Sequence, residues 1–110
     1  MNAMNNRVQL IGNVGNDPEI KNFDGGKKLA IVSLATKETY VDTKGEKIDN
    51  TSWHRVSAWG KTADIIEKYV VKGNKIAVEG KLTYKTYDDK NGVKQYQTEI
   101  TISEVQLFGK

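Results

Sequence analysis

Asn50-Thr51-Ser52-Trp53-His54-Arg55-Val56-Ser57-Ala58-Trp59-Gly60, followed directly by Lys61-Thr62-Ala63-Asp64-Ile65-Ile66-Glu67-Lys68-Tyr69-Val70-Val71-Lys72-Gly73, is the stretch on which the fold turns. Its first half alternates. Thr51, Trp53, Arg55, Ser57 and Trp59 fall on one side and Ser52, His54, Val56 and Ala58 on the other, the two-residue period of a strand. At Lys61 the period changes. Ile65, Ile66, Tyr69 and Val70 form a helical stripe, and Lys72-Gly73 is a helix stop. No other stretch of the chain carries a helical pattern.

Upstream, Arg7 to Gly12 alternates as a first strand, and Asn13 to Pro18 is dense in turn formers. Lys28 to Thr39 is a second strand, apolar or small on both sides, as a curved strand buried on much of both faces requires. Asp42 to Glu46 is a polar hairpin tip. Downstream, a fourth strand starts near Lys75, with Ile76, Val78, Leu82 and Tyr84 on one side and Gly80 placed for a sharp bend. That parity makes Tyr84 a core candidate and leaves Tyr96 ambiguous, while Lys81, Lys85 and Tyr87 share the opposite side. Asp88-Asp89-Lys90-Asn91-Gly92 contains the Asn-Gly hairpin signal. A fifth strand runs from Lys94 to about Ser103, and Val105-Gln106-Leu107 extends it or begins a further edge. Three strands, one helix and two strands predict an all-β chain: a five-stranded Greek-key OB-fold barrel with one α-helix between the third and fourth strands. A β-sandwich would want more strands and no mid-chain helix.

At 110 residues the chain is one domain long. Residues 1–6 read as a flexible lead and residues 7–108 as the folded domain. The absence of cysteine excludes disulfides, thiolate zinc sites and cysteine nucleophiles. A single histidine, His54, makes a histidine-based triad improbable, and on its strand it reads as a packed or interface residue. No metal-ligand spacing is visible. Asp88-Asp89 reads as turn chemistry and Gly12 to Asn16 as a weak phosphate loop, so no cofactor and no enzymatic activity are expected. No apolar run is long enough for a membrane span, and the first residues lack the apolar core of a secretory signal. Together with the absence of cysteine, both point to a reducing cytoplasm. The net charge of +3 permits a polyanionic partner without demanding one.

The pattern that carries chemistry is the interleaving of aromatics with cations on strands. Arg55 lies between Trp53 and Trp59, Tyr87 shares a side with Lys81 and Lys85, and Tyr40 lies on a hairpin arm. Exposed rings stack unpaired bases at roughly 1–3 kcal/mol per base, in any sequence, and the cations beside them neutralise phosphates. The competing reading is that Trp53 and Trp59 fill the barrel while Arg55 reaches out at its rim.

At these residues the sequence resembles the bacterial single-stranded DNA-binding protein family, from about Asn6 to Leu107. The ordered set that carries the resemblance is Val8-Gln9-Leu10-Ile11-Gly12-Asn13-Val14-Gly15-Asn16-Asp17-Pro18-Glu19, Leu34-Ala35-Thr36, Trp53-His54-Arg55-Val56, Trp59-Gly60-Lys61 and Tyr69-Val70-Val71-Lys72-Gly73. The resemblance implies sequence-independent binding of single-stranded DNA during replication, recombination and repair. It also implies a homo-oligomer, in most bacterial members a homotetramer built from dimers whose first strands pair, and a nucleoid-associated location. It places base stacking at Tyr40, Trp53, Trp59 and Tyr87, of which the residues at 40 and 87 are commonly tryptophan and that at 59 phenylalanine in the family. It marks Arg7, Lys21, Arg55, Lys61, Lys72 and Lys85 as phosphate contacts, and Val8, Leu10 and His54 as oligomer-interface residues. Family members also carry a flexible linker and an acidic C-terminal tip that recruits partners. The sequence ends at Lys110 without them. Two readings follow, a trimmed core or a naturally short form, and docking of replication and repair proteins is expected only where a longer chain supplies that tail. The alternative kept beside this one is a primosomal-type relative in the same fold, acting mainly by partner docking in replication restart.

Overall fold

The computed structural model describes residues 5–108. Six strands and one helix follow in the order β1 (Val8–Val14), β2 (Glu19–Phe23), β3 (Lys27–Val41), β4 (Lys47–Trp59), α1 (Gly60–Tyr69), β5 (Lys75–Asp88) and β6 (Lys94–Leu107). The sheet runs β1-β5-β6-β4-β3-β2, and a second pairing of β1 with β3 closes five of these strands into a barrel. All ladders are antiparallel except β4–β6, where Val56, Ser57 and Ala58 oppose Ile100, Thr101 and Ile102 in parallel. This is the expected OB barrel, with the helix in the connection between the third and fourth barrel strands, β4 and β5.

Two features differ from the sequence reading. β2 is an additional strand, lying outside the barrel along β3 with Lys21 opposite Leu29 and Phe23 opposite Lys27. It joins β3 through a tight turn in which Gly25 and Gly26 both adopt positive φ, open to glycine at little steric cost. The helix begins at Gly60 and ends at Tyr69, three residues short of Lys72. Its buried residues are Ala63 and Ile66, with Val70 just beyond it, while Ile65 and Tyr69 are exposed. The spacing of 63, 66 and 70 is the stripe that meets the barrel, and the 70–74 segment is a turn bonded to Val14. Lys28 of β3 bridges Asp64 and Glu67, fastening the helix to the sheet.

The core is the barrel interior: Val14, Ala30, Val32, Leu34, Val56, Ala58, Ile76, Val78, Ile100 and Ile102, closed at one end by Ala63, Ile66 and Val70 of the helix segment. At the bend expected near Gly80 the β5–β6 register shifts by one residue. A Cβ at Gly80 would lie 2.1 Å from the Thr101 carbonyl oxygen, so the two strands approach too closely there for any side chain. Val105–Leu107 belongs to β6 and continues its pairing with β5 beyond the bulge. The β3–β4 and β5–β6 hairpins extend past the barrel as two-stranded arms. On these arms the inward parity no longer means burial. Tyr84 and Tyr96, in line with the half-buried Leu82 and the core residue Ile100, are 73% and 77% exposed. Tyr84 is therefore not a core residue.

Candidate nucleic-acid interface

The registers place one outward face across five strands. One row reads Glu19 (β2), Ile31 (β3), Ser57 (β4), Thr101 (β6) and Lys81 (β5). Trp53, Arg55 and Trp59 share that face on β4, as do Lys85 and Tyr87 on β5 and Lys21 and Phe23 on β2. Trp53 is 63% exposed, Trp59 46% and Tyr87 53%. The tryptophans therefore do not fill the barrel, whose interior Leu34, Val56 and Ile76 occupy instead.

Each ring has a local support. The Trp53 ring lies over Gly15, where a Cβ would come within 2.3 Å of Cζ3. The turn that carries Gly15 is held in place by β3: the Gly15 amide donates to the Ser33 carbonyl at 2.8 Å, and the Ser33 amide donates to Asn16 Oδ1 at 2.8 Å. Trp59 packs against Phe23, ring centroids 5.8 Å apart and tilted by 33°. Phe23 is 47% exposed, so the pair presents one broad apolar surface at the β2 margin. Sequence reasoning missed Phe23 with the rest of β2.

Between the rings the floor is polar. Glu99 is buried, and it accepts hydrogen bonds from Ser57 Oγ (2.6 Å), Arg55 Nε (3.0 Å) and Lys85 Nζ (3.2 Å). Burial pushes its carboxyl up, but the bonds from Ser57, Arg55 and Lys85 prevail and hold it below the usual carboxylate range. The hydroxyls of Thr83 and Thr101 meet at 3.0 Å beside it. The alternation that put Glu99 on the polar side gave no sign that it would be covered.

The other sequence-derived candidates are distributed as follows. Lys21 lies one strand from Trp59, opposite Leu29. Lys61 is exposed in the first turn of α1, just beyond Trp59. The Lys72 amide donates to Asp17 Oδ1 at 3.0 Å, which ties the 70–74 turn to the β1–β2 turn near Trp53. Arg7 is paired with Glu79 and lines a cleft of about 360 Å³ with Lys81, Thr101 and Ser103. The Gln9 amide and Arg7 together hold the Glu79 carboxyl below its ordinary range. Tyr40 is 55% exposed, opposite Ile48, and its parity puts it on the other face of the β3–β4 arm from Trp53. His54 lies on the core side of β4, half-buried, with Nε2 2.9 Å from Thr36 Oγ1. Val8 and Leu10 are half-buried against the core from β1. From Val8 to Gly12 that strand pairs only with β5, so its second edge is open among the described residues.

The model of the Single-strand binding protein family matches residues 5–108. The chain belongs to this family. It is 43% identical over 105 residues to single-stranded DNA-binding protein 1 of Chlorobaculum tepidum, covering 94% of this chain and 65% of that protein. It is 41% identical over 104 residues to the single-stranded DNA-binding protein of Xanthomonas campestris pv. campestris, covering 94% of this chain and 60% of that one. The chain thus spans less than two thirds of the length of these relatives. Among solved structures, the Plasmodium falciparum SSB in complex with ssDNA superposes with a TM-score of 0.89 at 34% identity, covering 99% of this chain and all of that one. Membership agrees with the expectation of a binding protein rather than an enzyme. No helix among the described residues is long and apolar enough to cross a membrane.

Proposed function

We propose that this chain binds single-stranded DNA without sequence preference and shields it during replication, recombination and repair. One observation carries the reading: Trp53, Trp59 and Tyr87 are exposed on the same outward face as Arg55, Lys81 and Lys85. Flat rings at that spacing offer π-faces to unpaired bases, and duplex bases, already stacked on one another, have no face to offer in return. In this reading Lys21, Lys61 and Lys72 take phosphates around the margin of the face and Arg7 does so beside Lys81. Tyr40 receives a base from a strand that has crossed the β3–β4 arm. The names of the relatives support the same ligand.

The reading extends to a homo-oligomer, a tetramer, assembled through β1. The open edge from Val8 to Gly12 supports it, because an unpaired strand edge is a template for a second chain. Ile11, 57% exposed beside that edge, supplies apolar area. His54, Val8 and Leu10 would then back the interface from within. The proposed location is the bacterial cytoplasm, on exposed strands of the nucleoid. Replication and repair proteins dock only where a longer chain carries an acidic tail.

The test is a tryptophan-fluorescence titration with dT oligomers of increasing length, on protein of known solution mass. Emission is expected to be strongly quenched, and the affinity to fall as salt rises. Unchanged emission at low salt with stoichiometric oligomer would refute the proposal.

A further inference from the structure

A buried acid at the centre of a surface that attracts a polyanion needs a reason. Glu99 is 2% exposed, and its carboxylate lies beneath the row of Arg55 and Lys85 that separates the rings of β4 from Tyr87. Oε1 takes Arg55 Nε, and Oε2 takes Ser57 Oγ and Lys85 Nζ. No buried side-chain polar atom among the described residues is left without a partner, so the carboxylate is fully accounted for by these bonds. Arg55 and Lys85 remain 38% and 49% exposed at their side chains and can still meet solvent. Three groups therefore share one site with two positive charges and one negative. Because the negative charge is covered, water and salt screen it poorly.

We propose that Glu99 cancels one of the two charges on the floor of the stacking face, so that Arg55 and Lys85 together neutralise one phosphate rather than two. The proposal rests on the single-stranded DNA reading above. Lys81, on the same face, stands in no ion pair among the described residues and keeps its charge, while Arg7 and Lys21 pair with Glu79 and Glu19, neither of them buried, so the covered acid is particular to this cluster. Its effect is to moderate the electrostatic hold on the strand between the rings of Trp53 and Tyr87. Trp53 and Tyr87 supply attachment that salt does not govern, and Glu99 limits the part that salt does.

The salt dependence of binding reads this directly, because each phosphate neutralised on a single strand contributes about 0.7 to the slope of log K against log[salt]. The wild-type protein and Glu99→Gln are titrated with the same dT oligomer over a range of sodium chloride. Glu99→Gln is expected to steepen the slope by about 0.7 and to bind about fivefold more tightly at 0.1 M salt, that slope acting over one decade from 1 M. An unchanged slope, or a shallower one with weaker binding, overturns the proposal, since Glu99 would then only position its two partners. Should Glu99→Gln not fold, the double variant Glu99→Gln/Lys85→Met decides. It replaces the buried Glu99 carboxylate and its half-exposed Lys85 partner with neutral groups, an exchange that folds often tolerate, and leaves Arg55 as the single charge. Its slope is expected to equal the wild-type slope, whereas a slope shallower by about 0.7 shows that Lys85 was neutralising a phosphate of its own. Failure of the wild-type protein to bind would count against the DNA reading itself, and the two failures are thereby distinguished.

Discussion

Gly15→Ala should cost the protein its grip on DNA while sparing its fold. Gly15 does not have positive φ, so alanine is acceptable to the backbone, and only space is at issue. The added Cβ would sit 2.3 Å from Cζ3 and 2.8 Å from Cη2 of Trp53. Carbon atoms settle at about 3.5 Å or more, so the ring must retreat by about 1.2 Å. The backbone at Gly15 is pinned to Ser33, whereas the ring is 63% exposed, so it is the ring that moves. A displaced ring forfeits much of one stacking contact, about 1–3 kcal/mol, or a loss of roughly five- to hundredfold in affinity. The core is untouched, and the unfolded state loses some freedom, so Tm should stay within about 5 °C of the wild type. The assay is a dT-oligomer titration alongside a thermal melt. Trp53→Ala should weaken binding similarly, and the double variant little further, because the two changes act on one contact. Wild-type affinity in Gly15→Ala would refute the argument that the Trp53 ring must sit where the structure puts it. A large fall in Tm would show instead that Gly15 matters to the barrel.

Phe23→Ala should weaken oligomer binding about fivefold with little change in stability, since the ring is half exposed and meets Trp59 at the surface; equal titration curves would remove β2 from the interface. Gly80→Ala should destabilise the fold by about 3 kcal/mol or more, read as a lower urea midpoint, because its Cβ would lie 2.1 Å from the Thr101 oxygen and 2.6 Å from the Ile102 Cα, both backbone atoms. An unshifted midpoint would mean the bulge yields easily. The depressed carboxyl of Glu99 gives a signed pH effect. Its contribution is fully present above the unfolded carboxyl value of about 4.3 and is lost as pH falls through the lower folded value. Melts between pH 6 and about pH 3 should therefore fall more steeply for the wild-type protein than for Glu99→Gln, and parallel curves would refute the assignment.

What the sequence discloses is local, and what it conceals depends on neighbours. The parity of β4 put Trp53, Arg55 and Trp59 on one face because alternation is a property of the strand itself. Parity also marked Tyr84 as core, wrongly, since it names a side of the sheet and not the point where the barrel ends and the arm begins. β2 escaped notice because only Ile20 in it is even half-buried, so it has no apolar alternation to read, and its strand geometry comes from pairing with β3. Its one local signal was Gly25-Gly26, a tight-turn pair. Glu99 looked like any outward glutamate. Its burial comes from Arg55, Ser57 and Lys85, which reach it from two other strands.

The closure of the barrel also sets an order of events during synthesis. β2, β3 and β4 follow one another closely and can form their ladders as soon as they emerge. β1 cannot, for Val8 pairs with Gly80 and Gly12 with Ile76, far along the chain, and its contact with β3 is confined to Asn13 and Val14. The first strand made is thus among the last to find its place, waiting as a loose apolar segment until β5 arrives. The longest loop the barrel must close is therefore the seam between β1 and β5, while the meander that bears Trp53 and Trp59 is built from contacts close in sequence.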